Sequence, residues 1–431
     1  MSSPSPAAES PPQTPPSRSR PLSDARYSER IRFVCELAER LHAYGTTSQR
    51  LEGAITLIAE KLQLECEPWA NPTGLILTFS DPLRPPGESD VTRVIRLSPG
   101  DNDLARLVET DRVAEAVLAG DMGLQEAYAA LEALDTPPAW PSRVLLAFGY
   151  CMSASAVAAL LRLPWLDIGV AAINGLMIGV LVQMADLRPR LKEGMETIAA
   201  LIATATTLLI ASHVAPLNQN TVIIASLIVL LPGLALTNAV SELTSQHLIS
   251  GSARFAGAVT TVLKLGIGTA LAMYMVSLAG LDPQVRGWRP QPAWVEGAAV
   301  VVAACAFAIL FRGQRRDYPV VMLAAASGYL ISRHVGLALG SPVGIFLAAL
   351  VITVAGNAYA QITKRPGAVI RVPGIIMLVP GSASLRGLLT LIQQQDVGAG
   401  NQALLAVFNI LLSLIAGLMI GNLLLPSRRN L

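Results

Sequence analysis

Long uncharged apolar stretches fill this chain from Arg143 to its C-terminal end. The clearest of them lie at 144–161, 168–185, 197–241, 335–363 and 397–427. A helix needs about 20 consecutive apolar residues to cross the hydrocarbon core of a bilayer. The stretches 197–241 and 335–363 are too long for one crossing, and each contains a turn-like break. The pattern predicts a polytopic α-helical membrane protein and excludes most classes of soluble enzyme.

Composition supports this class: 52% of the residues are hydrophobic and only 14% are charged, whereas a soluble domain carries about 25% charged residues. The cysteines are isolated from one another, and no Cys/His cluster appears, so we predict no metal site, no cofactor and no disulfide framework. Nothing in the sequence indicates a nucleic-acid partner. The cysteines are Cys35, Cys66, Cys151 and Cys305.

The first 140 residues differ from the rest of the chain. Residues 1–25 are rich in Pro and Ser and have no apolar core, so we expect a disordered tail and no secretory signal. Residues 26–140 combine helical spacing around Ile31 and Leu41 with short strands, and we expect a cytoplasmic α+β domain. The strands are expected at 65–69, 75–79 and 91–97, and the later helices at 103–118 and 124–134.

Ten membrane spans are expected, in two halves at 141–285 and 286–431. They lie near 144–161, 168–185, 196–213, 221–241, 257–279, 294–311, 318–333, 342–362, 370–392 and 402–425.

Arg and Lys are distributed unevenly over the connecting loops, twelve against four, which places both termini in the cytoplasm by the positive-inside rule. The inner loops and the tail hold Arg188, Arg190, Lys192, Arg254, Arg312, Arg315, Arg316, Lys364, Arg365, Arg371, Arg428 and Arg429. The outer loops hold Arg162, Arg286, Arg289 and Arg333. Lysine is rare and arginine supplies nearly all the positive charge, a bias that favours a bacterial source with a GC-rich genome.

A short motif occurs twice. LLPGLAL at 230–236 recurs as LVPGSAS at 378–384, an offset of 148 residues that also maps the first spans of one half onto those of the other. Because each half has five spans, the second must enter the bilayer from the opposite side. Inverted repeats with Pro/Gly-interrupted helices are typical of secondary transporters, and the interruptions point to the binding site. A simple packing kink is the alternative.

Proline frees a backbone carbonyl one turn back, so each interrupted helix offers bare carbonyls and a half-helix dipole, which together suit a zwitterion. The hydroxyls beside the breaks could bind a hydroxylated substrate, or they could equally bond neighbouring helices. The candidate substrate-binding residues are Pro232, Gly233, Thr237, Asn238, Ser241, Pro380, Gly381, Ser382, Ser384 and Arg386.

Charged residues within or beside membrane spans are candidates for ion coupling. These are Glu242, Lys264 and Asp186. An interfacial position is the alternative for Glu242, snorkelling for Lys264, and a structural ion pair with Arg188 for Asp186. Arg386 takes the place of Asn238 by the repeat offset, and could hold a carboxylate of the substrate or of the protein.

Three segments resemble the threonine/serine exporter family: LAERLHAYGTTSQRLE at 37–52, PTGLIL at 72–77, and LPGLALTNAVSEL at 231–243 followed by Gly251. The resemblance covers about residues 30–425 and both halves. It implies a fused two-half exporter, and similar proteins are associated with dicarboxylate export. The family often shows Asp after the Pro-Gly segment, where this chain has Glu242.

The resemblance and the repeat together lead us to expect export of threonine and serine across a bacterial inner membrane, driven by the proton motive force. Succinate export, with Arg386 as the anion clamp, is the alternative. A membrane-anchored hydrolase is a third interpretation, but no Walker A, HExxH or GxSxG sequence is present. The expected partners are the small solute, protons and the lipid bilayer, and the sequence leaves a homo-oligomer open.

Overall fold

The computed structural model describes residues 26–83, 85, 90–287, 290–379, 381, 385–389 and 397–426, with the backbone only for 397–400. The predicted substrate-binding residues Pro380, Ser382 and Ser384 lie outside the described residues. The expected tail at 1–25 and the loop arginines Arg289, Arg428 and Arg429 lie outside them too.

Residues 27–133, here called the N-terminal unit, form four helices around a three-stranded antiparallel sheet of order β1-β2-β3. The helices are α1 (Tyr27–Ala43), α2 (Ser48–Lys61), α3 (Leu104–Ala119) and α4 (Leu124–Ala133), and the strands are β1 (Glu65–Asn71), β2 (Gly74–Ser80) and β3 (Val91–Arg96). Alternate residues of β2 are buried, as expected for a strand with one face on a core. That core includes Phe33, Leu37 and Phe79, all fully buried.

Eight helices within the described residues are long and apolar enough to cross a membrane. They include α5 (Trp140–Leu160), α6 (Trp165–Asp186), α7 (Pro189–His213), α10 (Leu248–Leu278), α11 (Ala293–Leu310), α12 (Tyr318–Leu339), α13 (Ser341–Thr363) and α15 (Val397–Leu424). Between 22% and 50% of each apolar window is buried inside the molecule. The apolar surface that remains exposed is what lipid would cover.

The fourth expected span, 221–241, is not one continuous helix. It consists of α8 (Gln219–Ser226), a 3-10 turn (Ile228–Leu230) and α9 (Gly233–Thr244), and the chain bends by 57° between Gln219–Ser226 and Ile228–Thr244. Leu231 is extended between the 3-10 turn and α9, and the Gly233 amide donates to the Leu231 carbonyl at 2.8 Å. Pro232 has no amide proton to donate to a preceding carbonyl, which is why the helix is interrupted between the 3-10 turn and α9.

The ninth expected span, 370–392, also breaks. α14 (Ala368–Ile376) ends four residues before the second Pro-Gly motif, and helical backbone is present again at Gly381 and 385–389. A helix is therefore interrupted at each of the two Pro-Gly motifs, as the sequence predicts.

The break expected between spans seven and eight is narrower than the sequence suggested. α12 continues to Leu339 and α13 begins at Ser341, because Gly340 alone makes the turn with a φ of +96°. Arg333, expected in an outer loop, is therefore helical. Its Nε donates to Glu296 Oε1 at 2.8 Å, so the guanidinium of Arg333 forms an ion pair with a carboxylate in the first turn of α11.

Candidate functional site

The two Pro-Gly motifs meet in space. A methyl group at Gly233 would overlap the Val379 side chain and lie 3.3 Å from the Gly381 amide nitrogen. A methyl at Gly381 would lie 3.0 Å from Leu231 Cβ. Only glycine allows the two interrupted segments to approach this closely. The two helix breaks, 148 residues apart in the sequence, therefore form one junction.

A cavity of about 140 Å³ lies near this junction, between the N-terminal unit and the membrane helices. A cavity of roughly 150 Å³ can hold a molecule the size of benzene, so this one has room for a small solute. Its polar lining comes from the N-terminal unit (Tyr44, Thr46, Arg50), from α9 (Thr237, Asn238, Ser241) and from the later helices (Thr353, Arg371, Asn422).

Three of the predicted substrate-binding residues share this lining. Thr237 and Ser241 lie one turn apart on α9, with Asn238 beside them. Thr237 Oγ1 donates to the Gly233 carbonyl at 3.0 Å, so its hydroxyl oxygen remains able to accept a hydrogen bond. Gly233 and Pro232 lie at the start of the same helix and position it.

Arg386 is not brought to this cavity. Its side chain is exposed, and the neighbouring Leu385 and Leu389 pack into an apolar cluster with Leu181 and Leu227. The repeat offset relates Arg386 to Asn238 along the chain, but the two residues do not line a common space.

The arginine that does line the cavity is Arg371, which the sequence placed in an inner loop. It lies within α14 and is only 4% exposed. Its Nε, Nη1 and Nη2 atoms are all buried without a hydrogen-bond partner among the described residues. Gly356 and Gly367 leave the space for it, because a methyl at Gly356 would come within 2.7 Å of Arg371 Cγ.

Arg50 of α2 is a second arginine in the lining. Burial lowers the pKa of its guanidinium to about 10. The side chain is half-buried and belongs to the cavity lining. No ion pair joins Arg50 to a described carboxylate.

Two further polar groups of the lining are unsatisfied. Tyr44 Oη and Thr46 Oγ1 are buried and have no hydrogen-bond partner among the described residues. The N-cap residue of α2 is the neighbouring Thr47, whose side chain makes no capping bond. Buried polar groups without partners are rare in folded proteins, and three residues that carry them, Tyr44, Thr46 and Arg371, line this one cavity.

Glu242 lies one residue beyond Ser241 and is 1% exposed. The Ser48 amide donates to Oε1 at 3.0 Å, the Ser250 hydroxyl to Oε2 at 2.7 Å, and Arg254 Nε to both oxygens at 3.0 Å. Ser48 is the first residue of α2, so Glu242 supplies the helix cap that Thr47 does not. Arg254, expected in a loop, is helical in α10 and forms the ion pair.

Other contacts join the same two parts of the chain. His247 Nε2 lies 2.8 Å from Glu52 Oε2, and the Leu104 amide donates to the Phe311 carbonyl at 2.9 Å. The N-terminal unit thus contacts both membrane halves and closes one end of the cavity.

The remaining ion-coupling candidates lie elsewhere. Lys264 Nζ donates to the Glu193 carbonyl at 2.8 Å and pairs with Glu196 at 3.4 Å, both on α7. Asp186 is exposed at the end of α6 and forms no ion pair with Arg188. The expected Asp186–Arg188 pair is therefore absent, since Arg188 is the N-cap of α7 and both side chains face outward.

Sequence reasoning also overlooked a buried carboxylate. Asp167, in the first turn of α6, is fully buried and accepts from the Asn218 amide at 3.2 Å and from Asn218 Nδ2 at 2.6 Å. Asn218 is the N-cap of α8, so Asp167 fixes the start of the broken helix. Its only sequence signal was an acidic residue after Pro164 at the beginning of a span.

A wider and more open depression of about 620 Å³ lies beside α8, lined by Asn218, Gln219 and Ser277 among others. No charged side chain lines it within the described residues. The smaller cavity carries the charges and unsatisfied groups, so it is the better candidate site. Among the described residues, no group of His, Cys, Asp and Glu could hold a metal ion.

The sequence of this chain is similar to those of known protein families. The threonine/serine exporter family model ThrE matches residues 32–276, and a second threonine/serine exporter model, ThrE_2, matches residues 296–424. No solved structure matches the chain.

Several curated yeast proteins are similar over most of the chain. Pheromone-regulated membrane protein 10 of Pichia sorbitophila is 26% identical over 85% of this chain and 38% of its own length. The protein of the same name in Saccharomyces cerevisiae is 25% identical over 85% of this chain and 48% of its length. An uncharacterised protein of Schizosaccharomyces pombe is 22% identical over 83% of this chain and 48% of its length.

The chain spans half or less of the length of these three relatives, so their names describe larger proteins. The family models, by contrast, match nearly all of the sequence from α1 to α15, on both sides of the loop between α10 and α11. This multi-pass membrane protein belongs to the threonine/serine exporter family.

Proposed function

We propose that the protein is a secondary transporter that exports threonine and serine, and that the 140 Å³ cavity holds the solute. Family membership supports a transport role and weighs against the hydrolase alternative. The cavity supports a small solute, because it combines hydroxyl and amide side chains with an interrupted helix in a space of suitable size.

The observation that carries this proposal is the convergence of Thr237, Asn238 and Ser241 on one cavity beside the junction of Gly233 and Gly381. Transporters place their sites where interrupted helices from two repeats meet. We therefore retain the proposal of two inverted five-helix halves, with each interrupted helix counted as one span.

The proposed orientation has the N-terminal unit and both termini in the cytoplasm. The excess of arginine and lysine in and beside the loops on that side supports it. The N-terminal unit then covers the cytoplasmic end of the cavity. A bacterial inner membrane is the proposed location, and the arginine-rich composition is its only support, since the relatives named above are yeast proteins.

Coupling to protons is part of the proposal, with Glu242, Lys264 and Asp186 as its candidate residues. Glu242 is the best placed, because it adjoins the cavity at Ser241. A proton on its carboxylate would remove an acceptor from Ser48, Ser250 or Arg254 and so loosen the contact with the N-terminal unit.

Dicarboxylate export is the second candidate function. The lining contains two arginines without a described carboxylate partner, and two cations match two carboxylates better than they match one zwitterion. Succinate would offer one carboxylate to each guanidinium group, whereas threonine has one carboxylate for the two.

Efflux from proteoliposomes tests the proposal. Vesicles loaded with labelled threonine, serine or succinate should lose threonine and serine faster when a pH gradient is imposed. Thr237→Val should lower threonine efflux about fivefold, the value of one hydrogen bond. Thr260→Val is the matched control, because Thr260 makes the same bond to its own helix at 2.9 Å but faces outward. If the vesicles lose succinate but neither threonine nor serine, succinate would take the place of the amino acids as the proposed substrate.

A further inference from the structure

We propose that Arg371 of the membrane region and Arg50 of the N-terminal unit together bind the carboxylate of the transported solute. The inference rests on the proposed function and names the chemical class of its substrate, a small carboxylate. Neither arginine was among the substrate-binding candidates from the sequence, which proposed Arg386 as the residue that binds a carboxylate.

Arg371 is the main evidence. Burying a guanidinium without a partner is costly unless an anion compensates for the lost hydration. Its three nitrogens are buried and have no acceptor among the described residues, and the residue lines a cavity large enough for a small molecule. A guanidinium binds a carboxylate through two parallel hydrogen bonds. The missing acceptor is therefore of the carboxylate type.

The charge of the lining supports the same ligand. No Asp or Glu lines the cavity within the described residues, and the nearest acidic residue along α9, Glu242, is occupied by Arg254, Ser48 and Ser250. The field inside is positive, so an anionic group is attracted and a solute without one is not. Tyr44 and Thr46 add two unsatisfied hydroxyls that can donate to the same anion.

Arg50 makes the site depend on two parts of the chain. It lies on α2, whose N-terminus is held to the membrane region by Glu242. Without the N-terminal unit, Arg371 would be the only cation in the described lining. The N-terminal unit therefore acts as part of the binding site rather than only as its cover.

Binding to the purified full-length protein tests this, with calorimetry and thermal unfolding as readouts. The probes are threonine and threoninol, which differ only in the carboxylate, and succinate and succinamide. We expect the carboxylates to bind and the other two to bind at least about 30-fold more weakly. Arg371→Gln and Arg50→Gln should weaken carboxylate binding by a similar factor. Arg190→Gln, at an exposed arginine of α7, is the matched control.

The outcomes separate this inference from the proposed function. Threonine efflux with an unchanged KM in Arg371→Gln would overturn the inference and leave the exporter proposal standing. Arg371-dependent binding of succinate without threonine would uphold the inference and replace the proposed substrate. Equal binding of threonine and threoninol, or no binding of any probe, would overturn the inference.

A second variant adds a carboxylate instead of removing a cation. Asn238→Asp places an acidic group in the lining, where it can pair with the arginines and exclude the solute. We expect a higher unfolding temperature and weaker carboxylate binding. A variant that binds threonine like the wild type would count against the inference. If Arg371→Gln fails to fold, the comparison of threonine with threoninol on the wild-type protein still decides.

Discussion

The backbone amide of Ser48 donates to the Glu242 carboxylate at 3.0 Å, across 194 residues of sequence. The same carboxylate pairs with Arg254, so a single buried acidic group caps a helix of the N-terminal unit and neutralises a cation of α10. Residues from both sides of this contact line the candidate cavity, among them Arg50 on α2 and Ser241 on α9. Docking of the N-terminal unit and formation of the cavity are therefore linked.

Glu242→Gln should destabilise this contact. The amide keeps one acceptor for Ser48 but leaves the partly buried Arg254 without a counter-charge, which costs about 3 kcal/mol. We expect a lower unfolding temperature and faster hydrogen exchange at the start of α2. Glu196→Gln is the control, since its partly exposed pair with Lys264 should contribute under about 1 kcal/mol. Unchanged stability combined with loss of the pH-gradient response would instead assign Glu242 to proton coupling alone.

Gly233→Ala should separate the two Pro-Gly motifs. The added methyl overlaps Val379, and overpacking of this kind costs about 1–3 kcal/mol. We expect lower stability and reduced efflux. Gly257→Ala is the matched control in α10, where a methyl meets nothing within 4 Å and should be neutral or slightly stabilising. If the two variants behave alike in both measurements, the close approach of the motifs is not important.

His42 should make the N-terminal unit sensitive to acid. Burial lowers the pKa of this imidazole below its usual 6.5, against the opposing effect of its contact with the Asn71 carbonyl at 3.0 Å. Below the unfolded pKa, the unfolded chain binds a proton that the folded chain does not, so stability falls as the pH falls through this value. Chemical unfolding between about pH 7.5 and 5 should show this slope. His42→Gln should flatten it, whereas His213→Gln, at an exposed histidine, should not.

Cys35 and Cys66 should react slowly with maleimide. Burial raises the pKa of the Cys35 thiol to about 11 and that of Cys66 to about 12. At pH 8 the thiolate fraction of Cys35 is then about a thousandth, against roughly a quarter for a free thiol. We expect labelling, followed by mass spectrometry, to be about 100-fold slower than after denaturation. Rapid labelling of the folded protein would show that these thiols are accessible.

The sequence determined the class of the protein and the position of its helix breaks. Apolar length gives membrane helices whatever their neighbours are, and Pro232 interrupts its helix for a local reason, the missing amide proton. Thr237, Asn238 and Ser241 could be placed on one helix side because helical spacing alone relates them. The strands around Leu75 and Val91 likewise followed from local pattern and turns.

The tertiary structure decided which charged residues matter and what they contact. Arg371 and Arg386 are fifteen residues apart and look alike in sequence, yet one is buried beside the cavity and the other is exposed. Glu242 contacts Ser48, and Arg50 reaches a membrane cavity, only because the N-terminal unit docks there. Local pattern carries no information about such contacts, since they depend on how distant segments pack.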